Sequence, residues 1–343
     1  MCSFICIKGN FEIGPRRIVP VLMLAMLAFA LVIVPAMAGT ETGEFCPTCP
    51  DWTDLDGWLA KKQAYEQEGL DQVTGKAGTA KVDEGSSMGG GQKPVQKERY
   101  PHFEMIAEPG AGIRGKALID ARSPGDYSQG HLSGARNLYW KDLQHSGRLD
   151  PAAAEKMLRK AGINNSDDLL VYGGSDGGPE FLFWALSYLG HRNISVLDGG
   201  IDAATGAGMI LDSSAPQVAE SNYTAHPVQS MLVDENGLGS ALAGDVQVLD
   251  ARDFSDYGLS RLTGNAMQVS TDKLYQDSLL LAGPEDLKDL FEGRGLDRNR
   301  TQIVYGTPKA YVLFYCLELM GYQASLIEGT WWSKTKWAIS NVR

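Results

Sequence analysis

Cysteine and histidine are both scarce, with five of each in 343 residues. Beyond residue 38 only Cys46, Cys49 and Cys316 remain, so the chain can close at most one disulfide there and leaves a thiol over. The shortage also empties the metal readings. Zinc at Cys46 and Cys49 would need two more ligands, and His102 alone does not supply them. Haem attachment fails because Pro50, not histidine, follows Cys49. A thioredoxin-type site fails as well, because no strand precedes the pair. No metal and no cofactor is expected. Basic charge is short too: 31 Lys and Arg stand against 42 Asp and Glu, a net −11. That argues against a general nucleic-acid binder, which carries a basic stripe; otherwise acidity is a statement about solubility.

What the chain does have begins with an address. Arg16 and Arg17 precede an apolar run over residues 18–34, and Pro35-Ala-Met-Ala38 follows. This reads as a signal peptide over residues 1–38, cleaved after Ala38, which would leave the remainder at −13. An uncleaved anchor is the alternative, since the run is about long enough to span a bilayer. No cysteine directly follows the run, so no lipid-attachment box is present. The expected location is periplasmic or extracellular, with membrane contact only through residues 18–34 if they are retained. Residues 39–100 read as an arm. Thr53 caps a short helix with Asp54 and Asp56 in its first turn, and Leu55, Trp58, Leu59 and Tyr65 form an apolar stripe. Residues 69–97 are a Gly-, Ser- and Lys-rich linker. In an exported chain, Cys46 and Cys49 are read as a disulfide or an exposed redox pair.

The rest is dominated by a repeat. Asp120-Ala-Arg122 returns as Asp250-Ala-Arg252, Asp126-Tyr127 as Asp256-Tyr257, and Leu132 and Gly134 as Leu262 and Gly264, each offset by 130 residues. A period of that size means two copies of one domain rather than a solenoid. Domains are expected at 101–230 and 231–343. In the first copy the pattern predicts strands at 117–120, 169–172 and 194–197, helices at 152–161 and 181–189, and a loop and turn from Asp126 to Gly134. The second copy gives strands at 247–250, 301–305 and 325–327 and helices at 284–291 and around Cys316. Alternating strands and helices mean an α/β fold, three layers per copy around a mostly parallel sheet. Val312, Cys316, Leu319 and Met320 share one helix face, so Cys316 is read as core.

A strand leading through a tight loop into a helix gathers backbone N–H groups, which suits an anion or a thiolate. Two loops have this form. Gly173 opens the first, followed by Gly174, Ser175, Asp176 and Gly177; Gly306 opens the second, followed by Thr307, Pro308 and Lys309. Gly174 to Gly177, Thr307 and Lys309 are the candidate anion or ligand residues. Ser175 has no histidine base beside it, and Lys309 reads more simply as an exposed solvated charge. Neither loop contains cysteine. The Asp-Ala-Arg and Asp-Tyr residues read as scaffold, with pairings expected between Arg122 and Asp126 and between Arg252 and Asp256.

The run from Asp120 to Ala135, with Leu189-Gly-His191, Val196-Leu-Asp-Gly-Gly200, Gly321-Tyr322 and Glu328-Gly-Thr-Trp331, resembles the rhodanese (sulfurtransferase) family in its tandem form over about residues 101–343. The resemblance implies sulfur carried as a cysteine persulfide, with the nucleophile opening the second loop and backbone N–H groups holding the substrate. Those positions here are Gly306 and, in the first copy, Gly173. The expected function is therefore a non-catalytic binding or assembly module of the cell envelope, with a protein partner there. The alternative is a sulfurtransferase or thiol-redox protein that handles sulfane sulfur through Cys46 and Cys49.

Overall fold

The computed structural model describes residues 99–110, 113–276 and 280–340, all within one compact unit. Cys46, Cys49, the apolar run and the arm lie outside the described residues. Two parallel sheets organise the chain. The strands of the first are β1 (Ile106–Ala107), β2 (Ala117–Asp120), β3 (Arg136–Asn137), β4 (Leu169–Tyr172) and β5 (Ile194–Leu197), ordered β1-β5-β4-β2-β3. The second contains β6 (Val246–Asp250), β7 (Met267–Gln268), β8 (Thr301–Tyr305) and β9 (Ala324–Ile327), ordered β7-β6-β8-β9. A single parallel bridge from Leu232 to Leu326 occupies the edge that β1 fills in the first sheet. The two orders are thus the same, which is the physical content of the repeat.

The helices are α1 (Pro124–Gln129), α2 (Pro151–Lys160), α3 (Gly178–Tyr188), α4 (Gly200–Gly206), α5 (Leu238–Ala243), α6 (Phe254–Leu259), α7 (Pro284–Gly293) and α8 (Lys309–Leu319). Most begin where the sequence has a start signal. Pro124 follows Ser123, whose Oγ accepts a bond from the Asp126 amide. Pro151 follows Asp150, whose carboxylate caps the amides of Ala152 and Ala153.

Strand side chains alternate between faces. Leu169 and Val171 of β4 enter one apolar cluster, while Leu170 and Tyr172 enter another on the opposite face. In β8, Val304 joins the first cluster, and Ile303 and Tyr305 join a third. The first cluster is shared by both sheets. Its centre is α3 against α8, both buried almost all round, with Phe181 and Tyr311 edge to face at 4.9 Å and Phe183 and Tyr315 likewise at 4.9 Å. A helix apolar on all sides needs cover on all sides, and each of these finds it in the other plus a sheet. Cys316 is fully buried here, as its helical spacing implies.

Two expectations are corrected. The stretch from Asp126 is not all loop: α1 occupies its start, and α6 does so in the second copy, because Ser123-Pro124 and Asp253-Phe254 start short helices before Gly130 and Ser260 end them. The arginines, too, have other partners. Arg122 pairs with Asp120 through Nε (3.0 Å) and Nη2 (2.5 Å), and Arg252 with Asp250 through Nε (2.9 Å) and Nη2 (2.6 Å). Extended backbone brings positions i and i+2 to the same side, whereas Asp126 lies in a helical first turn and accepts a bond from the Ser123 hydroxyl.

Candidate functional site

Each copy builds its loop on the same frame. The arginine Nη2 reaches on to a carbonyl eight residues away, of Gly130 or of Ser260. The Tyr127 and Tyr257 hydroxyls donate to the carbonyls of Ala135 and Ala266. The Tyr172 and Tyr305 hydroxyls, at the ends of β4 and β8, accept from the amides of Leu132 and Leu262. The repeated Asp-Ala-Arg residues and the two tyrosines therefore spend their polar groups on the strand-loop-turn itself, as scaffold.

The first loop lies between β4 and α3. Gly173 is buried beneath Gly200: its carbonyl accepts from the Ile201 amide at 3.3 Å, and a Cβ on Gly200 would stand 2.4 Å from that carbonyl oxygen. A Cβ on Gly173 itself would meet the Pro179 ring at 2.9 Å. Gly177 takes φ +77° at the N-cap of α3, a conformation suited to glycine. Asp176 is exposed but held at both oxygens: Oδ2 accepts from the Trp140 indole at 2.7 Å and Oδ1 from the Gly178 amide at 3.2 Å. A carboxylate thus already sits at the N-terminus of α3, where an anion would bind. Ser175 is exposed.

The second loop is closed by other means. Gly306 has φ +98°, and a Cβ there would lie 2.5 Å from Arg252 Cγ. The Thr307 hydroxyl accepts from the Gly329 amide at 3.1 Å. Lys309 keeps its solvent exposure and also forms a surface ion pair with Asp253, because α8 starts beside the turn that opens α6. A Cβ on Gly177 would lie 3.8 Å from Val312 in the first turn of α8, while Thr307 and Lys309 find their partners in Gly329 and Asp253 rather than in the first loop.

Sequence reasoning missed the polar groups between the halves. Beside Gly173 and Gly174 lies a cavity of about 30 Å³, lined also by Glu180, Asp198, Tyr275 and Tyr315, with room for a water molecule or two. The Tyr275 hydroxyl donates to Glu180 Oε1 at 2.8 Å, and Asp198 Oδ1 accepts from the Leu281 amide at 2.9 Å. Within the second half the Tyr311 hydroxyl donates to Glu328 Oε1 at 2.7 Å, and across the interface Glu328 accepts from the Leu149 amide at 3.0 Å. These contacts are reciprocal. Glu180 and Tyr311 are 131 residues apart, as are Gln144 and Tyr275, and Gln144 lies 3.5 Å from Tyr311. Asp198 and Glu328 are 130 apart. The signal was visible in the matched Asp198-Gly and Glu328-Gly pairs, but not the direction in which the carboxylates point. Burial pushes Glu180 and Glu328 above the ordinary carboxyl range, their hydrogen bonds pulling the other way. Burial, with the charges of Glu180 and Asp198 adding to it, pushes the Cys316 thiol well up, so it is no thiolate nucleophile in this fold. No group of three or more His, Cys, Asp or Glu among the described residues could hold a metal ion, and no described helix is long and apolar enough to cross a membrane.

Residues 105–207 match the family model described as the rhodanese-like domain. A protein of Saccharopolyspora erythraea provisionally named thiosulfate sulfurtransferase is 26% identical over 230 residues, covering 60% of this chain and 82% of that protein. One of Haloferax volcanii with the same provisional name is 22% identical over 235 residues, covering 62% and 81%. Among solved structures, the 3-mercaptopyruvate sulfotransferase SseA of Escherichia coli, described as having the rhodanese fold, aligns with TM-score 0.56 at 22% identity over 64% of this chain and 93% of that one. An anaerobic ergothioneine biosynthesis enzyme of Chlorobium limicola aligns with TM-score 0.61 at 16% identity, covering 69% of each chain. The fold is accordingly α/β with parallel rhodanese-like sheets. The loop of Gly173 and Gly174 lies inside the matched rhodanese-like region, between its β4 and α3.

Proposed function

We propose that this protein is an exported pair of rhodanese-like domains, spanning 101–230 and 231–343, whose loops have given up sulfur transfer and which serves as a binding or assembly module in the cell envelope. The observation that carries this reading is steric. In the family, a persulfide needs a cysteine at the head of the loop. Here those positions are Gly306, where Arg252 fills the space a Cβ would take, and Gly173, where the Pro179 ring does. Asp176 further places negative charge where an anionic sulfur donor would bind. Cys316, the described thiol, is sealed in the core.

A second reading is supported by the relatives' provisional names as sulfurtransferases: sulfur handled by Cys46 and Cys49 on the arm, with the folded unit as a platform. One assay separates the two. Thiosulfate-to-cyanide sulfur transfer is measured on the chain from residue 39 onward, with and without both cysteines changed to serine. The binding-module reading expects no transfer above background in either. Activity in the parent that is lost in the double variant would replace it with the second reading. Mass measurement of the protein recovered from the envelope fraction tests export, with cleavage after Ala38 expected.

A further inference from the structure

We propose that the groove between the C-terminal end of α3 and the segment 222–228 is a saccharide site, taking one or two sugar rings that carry a carboxylate. Such a ligand deepens the binding-module reading and rests on it, but the site uses neither loop. The helix α3, Gly178–Tyr188, puts about 16 Å between the groove and the first loop. The groove holds about 730 Å³, within the range of about 300–1,000 Å³ usual for small-molecule sites.

Its walls are set before any ligand arrives, which lowers the cost of binding. The segment crosses the end of α3 with the His226 amide on the Leu189 carbonyl at 2.9 Å and the Val228 amide on the Tyr188 carbonyl at 2.7 Å. Asn165 clamps Thr224 twice, Nδ2 donating to its carbonyl at 2.8 Å and Oδ1 accepting from its amide at 2.9 Å. Gly190, at φ +87°, permits this approach: a Cβ there would stand 2.7 Å from the His226 carbonyl oxygen. His191 is part of the lining and is 3% exposed. Its Nε2 donates to the Asp167 carbonyl at 2.8 Å, and its ring lies parallel to that of Tyr223. Burial pushes His191 below the ordinary imidazole range, and in the neutral ring Nδ1 is then an acceptor. That Nδ1 is buried and has no partner among the described residues. Such a group calls for a donor, from a hydroxyl or a water.

The side chains around the groove decide the ligand. Ser187, Arg192, Asn193, Asn222 and His226 line it, and among the described residues none of these side chains has a hydrogen-bond or ion-pair partner. Ser187, Asn193 and Asn222 each offer a donor and an acceptor, which suits a hydroxyl, a group that is both. A bare oxyanion only accepts and would leave the amide carbonyls unused. Arg192 adds a permanent positive charge, and no Asp or Glu among the described residues lines the groove. The acids that act on His191 are Asp167 and Asp168. Both are engaged, Asp168 with Lys116 and Asp167 with the Asn164 amide. The Tyr188 and Leu189 carbonyls, which would repel an anion at the end of α3, are already taken by the two amides of the segment. Hydroxyls together with a carboxylate describe an acidic sugar.

Binding is measured by titration calorimetry on the full chain. The acidic sugars are digalacturonate, dimannuronate and N-acetylmuramic acid; galactobiose, mannobiose and N-acetylglucosamine are their neutral counterparts, and sulfate is the bare oxyanion. At least one acidic sugar is expected to bind with Kd below about 1 mM, at least about tenfold tighter than its neutral counterpart and than sulfate. Arg192→Gln should remove the preference for the acid. Asn222→Ala should weaken acidic and neutral sugars alike, by about tenfold. Both side chains are exposed, so both variants should keep the parent's Tm. Lys288→Gln, which removes an exposed cation on α7, should bind as the parent does. No acidic sugar reaching that Kd, sulfate binding as tightly as the best of them, a preference unchanged in Arg192→Gln, an unaffected Asn222→Ala, or an equal loss in Lys288→Gln would each overturn the site. Thiosulfate-to-cyanide transfer is read separately: its appearance would sink the binding-module reading and leave the calorimetry to decide the groove.

Discussion

Two glycines decide what the loops can carry. Gly306 combines φ +98° with a Cβ position already occupied, 2.5 Å from Arg252 Cγ. Cysteine there must bear left-handed backbone strain and displace a side chain held by Asp250. Gly306→Cys is expected to lose about 1–3 kcal/mol from backbone strain alone, seen as a lower Tm, and to gain no thiosulfate-to-cyanide activity. Gly173 has no positive φ, and its obstacle is the Pro179 ring at 2.9 Å. A ring in the first turn of a buried helix has little room to move, so cysteine at 173 meets overpacking instead.

At the scale of elements, the repeated strand-loop-helix depends on a carboxylate it supplies itself. Asp250 is fully buried and Arg252 mostly so. Removing the guanidinium leaves a buried carboxylate unpaired, which costs about 3–5 kcal/mol. Arg252→Ala is expected to lower the unfolding free energy measured in urea by that much, and Arg252→Lys to recover only part of it, since an ammonium cannot reproduce the forked contact. The first loop makes the complementary case. Asp176→Ala strips an acceptor from the Trp140 indole and the Gly178 amide, at a cost of about 1–3 kcal/mol. It also vacates the N-terminus of α3 for an outside anion. Added sulfate is therefore expected to raise the Tm of Asp176→Ala more than that of the parent; an equal response would show that Asp176 is not what guards the loop.

For the whole molecule, the shared interface ties stability to pH. Glu328 is buried between the halves and raised above the ordinary carboxyl range, chiefly by burial. Its contribution is full at acid pH and is lost as pH rises through the raised value. Glu180 and Glu318 are shifted the same way by burial, while burial lowers His191, whose contribution is lost as pH falls. Glu328→Gln keeps an acceptor for the Leu149 amide and the Tyr311 hydroxyl but cannot ionise. Its unfolding free energy, measured by denaturant at successive pH values, is expected to fall less steeply than the parent's above the ordinary carboxyl range.

By itself the sequence determined the class of the fold, because that information is local and periodic. Strands at Leu169–Tyr172, Ile194–Leu197 and Thr301–Tyr305 were legible to the residue as short apolar runs bounded by turn signals. The two loops and their missing cysteines were legible by position alone, as was the burial of Cys316. The short α1 and α6 were less so, since six residues carry too little periodicity to stand out from a polar loop. Only the tertiary structure decided partners. Arg122 chose Asp120 over Asp126, Lys309 found Asp253 at the surface, and Glu180 and Glu328 crossed to the other half. A side chain's partner depends on which elements are brought within about 3 Å of it, and that is fixed by how α3 packs on α8 between the sheets. The glycines at 173 and 306 show both sides of the division. Their identity is written in the sequence; that Pro179 and Arg252 close the space above them is a fact of packing.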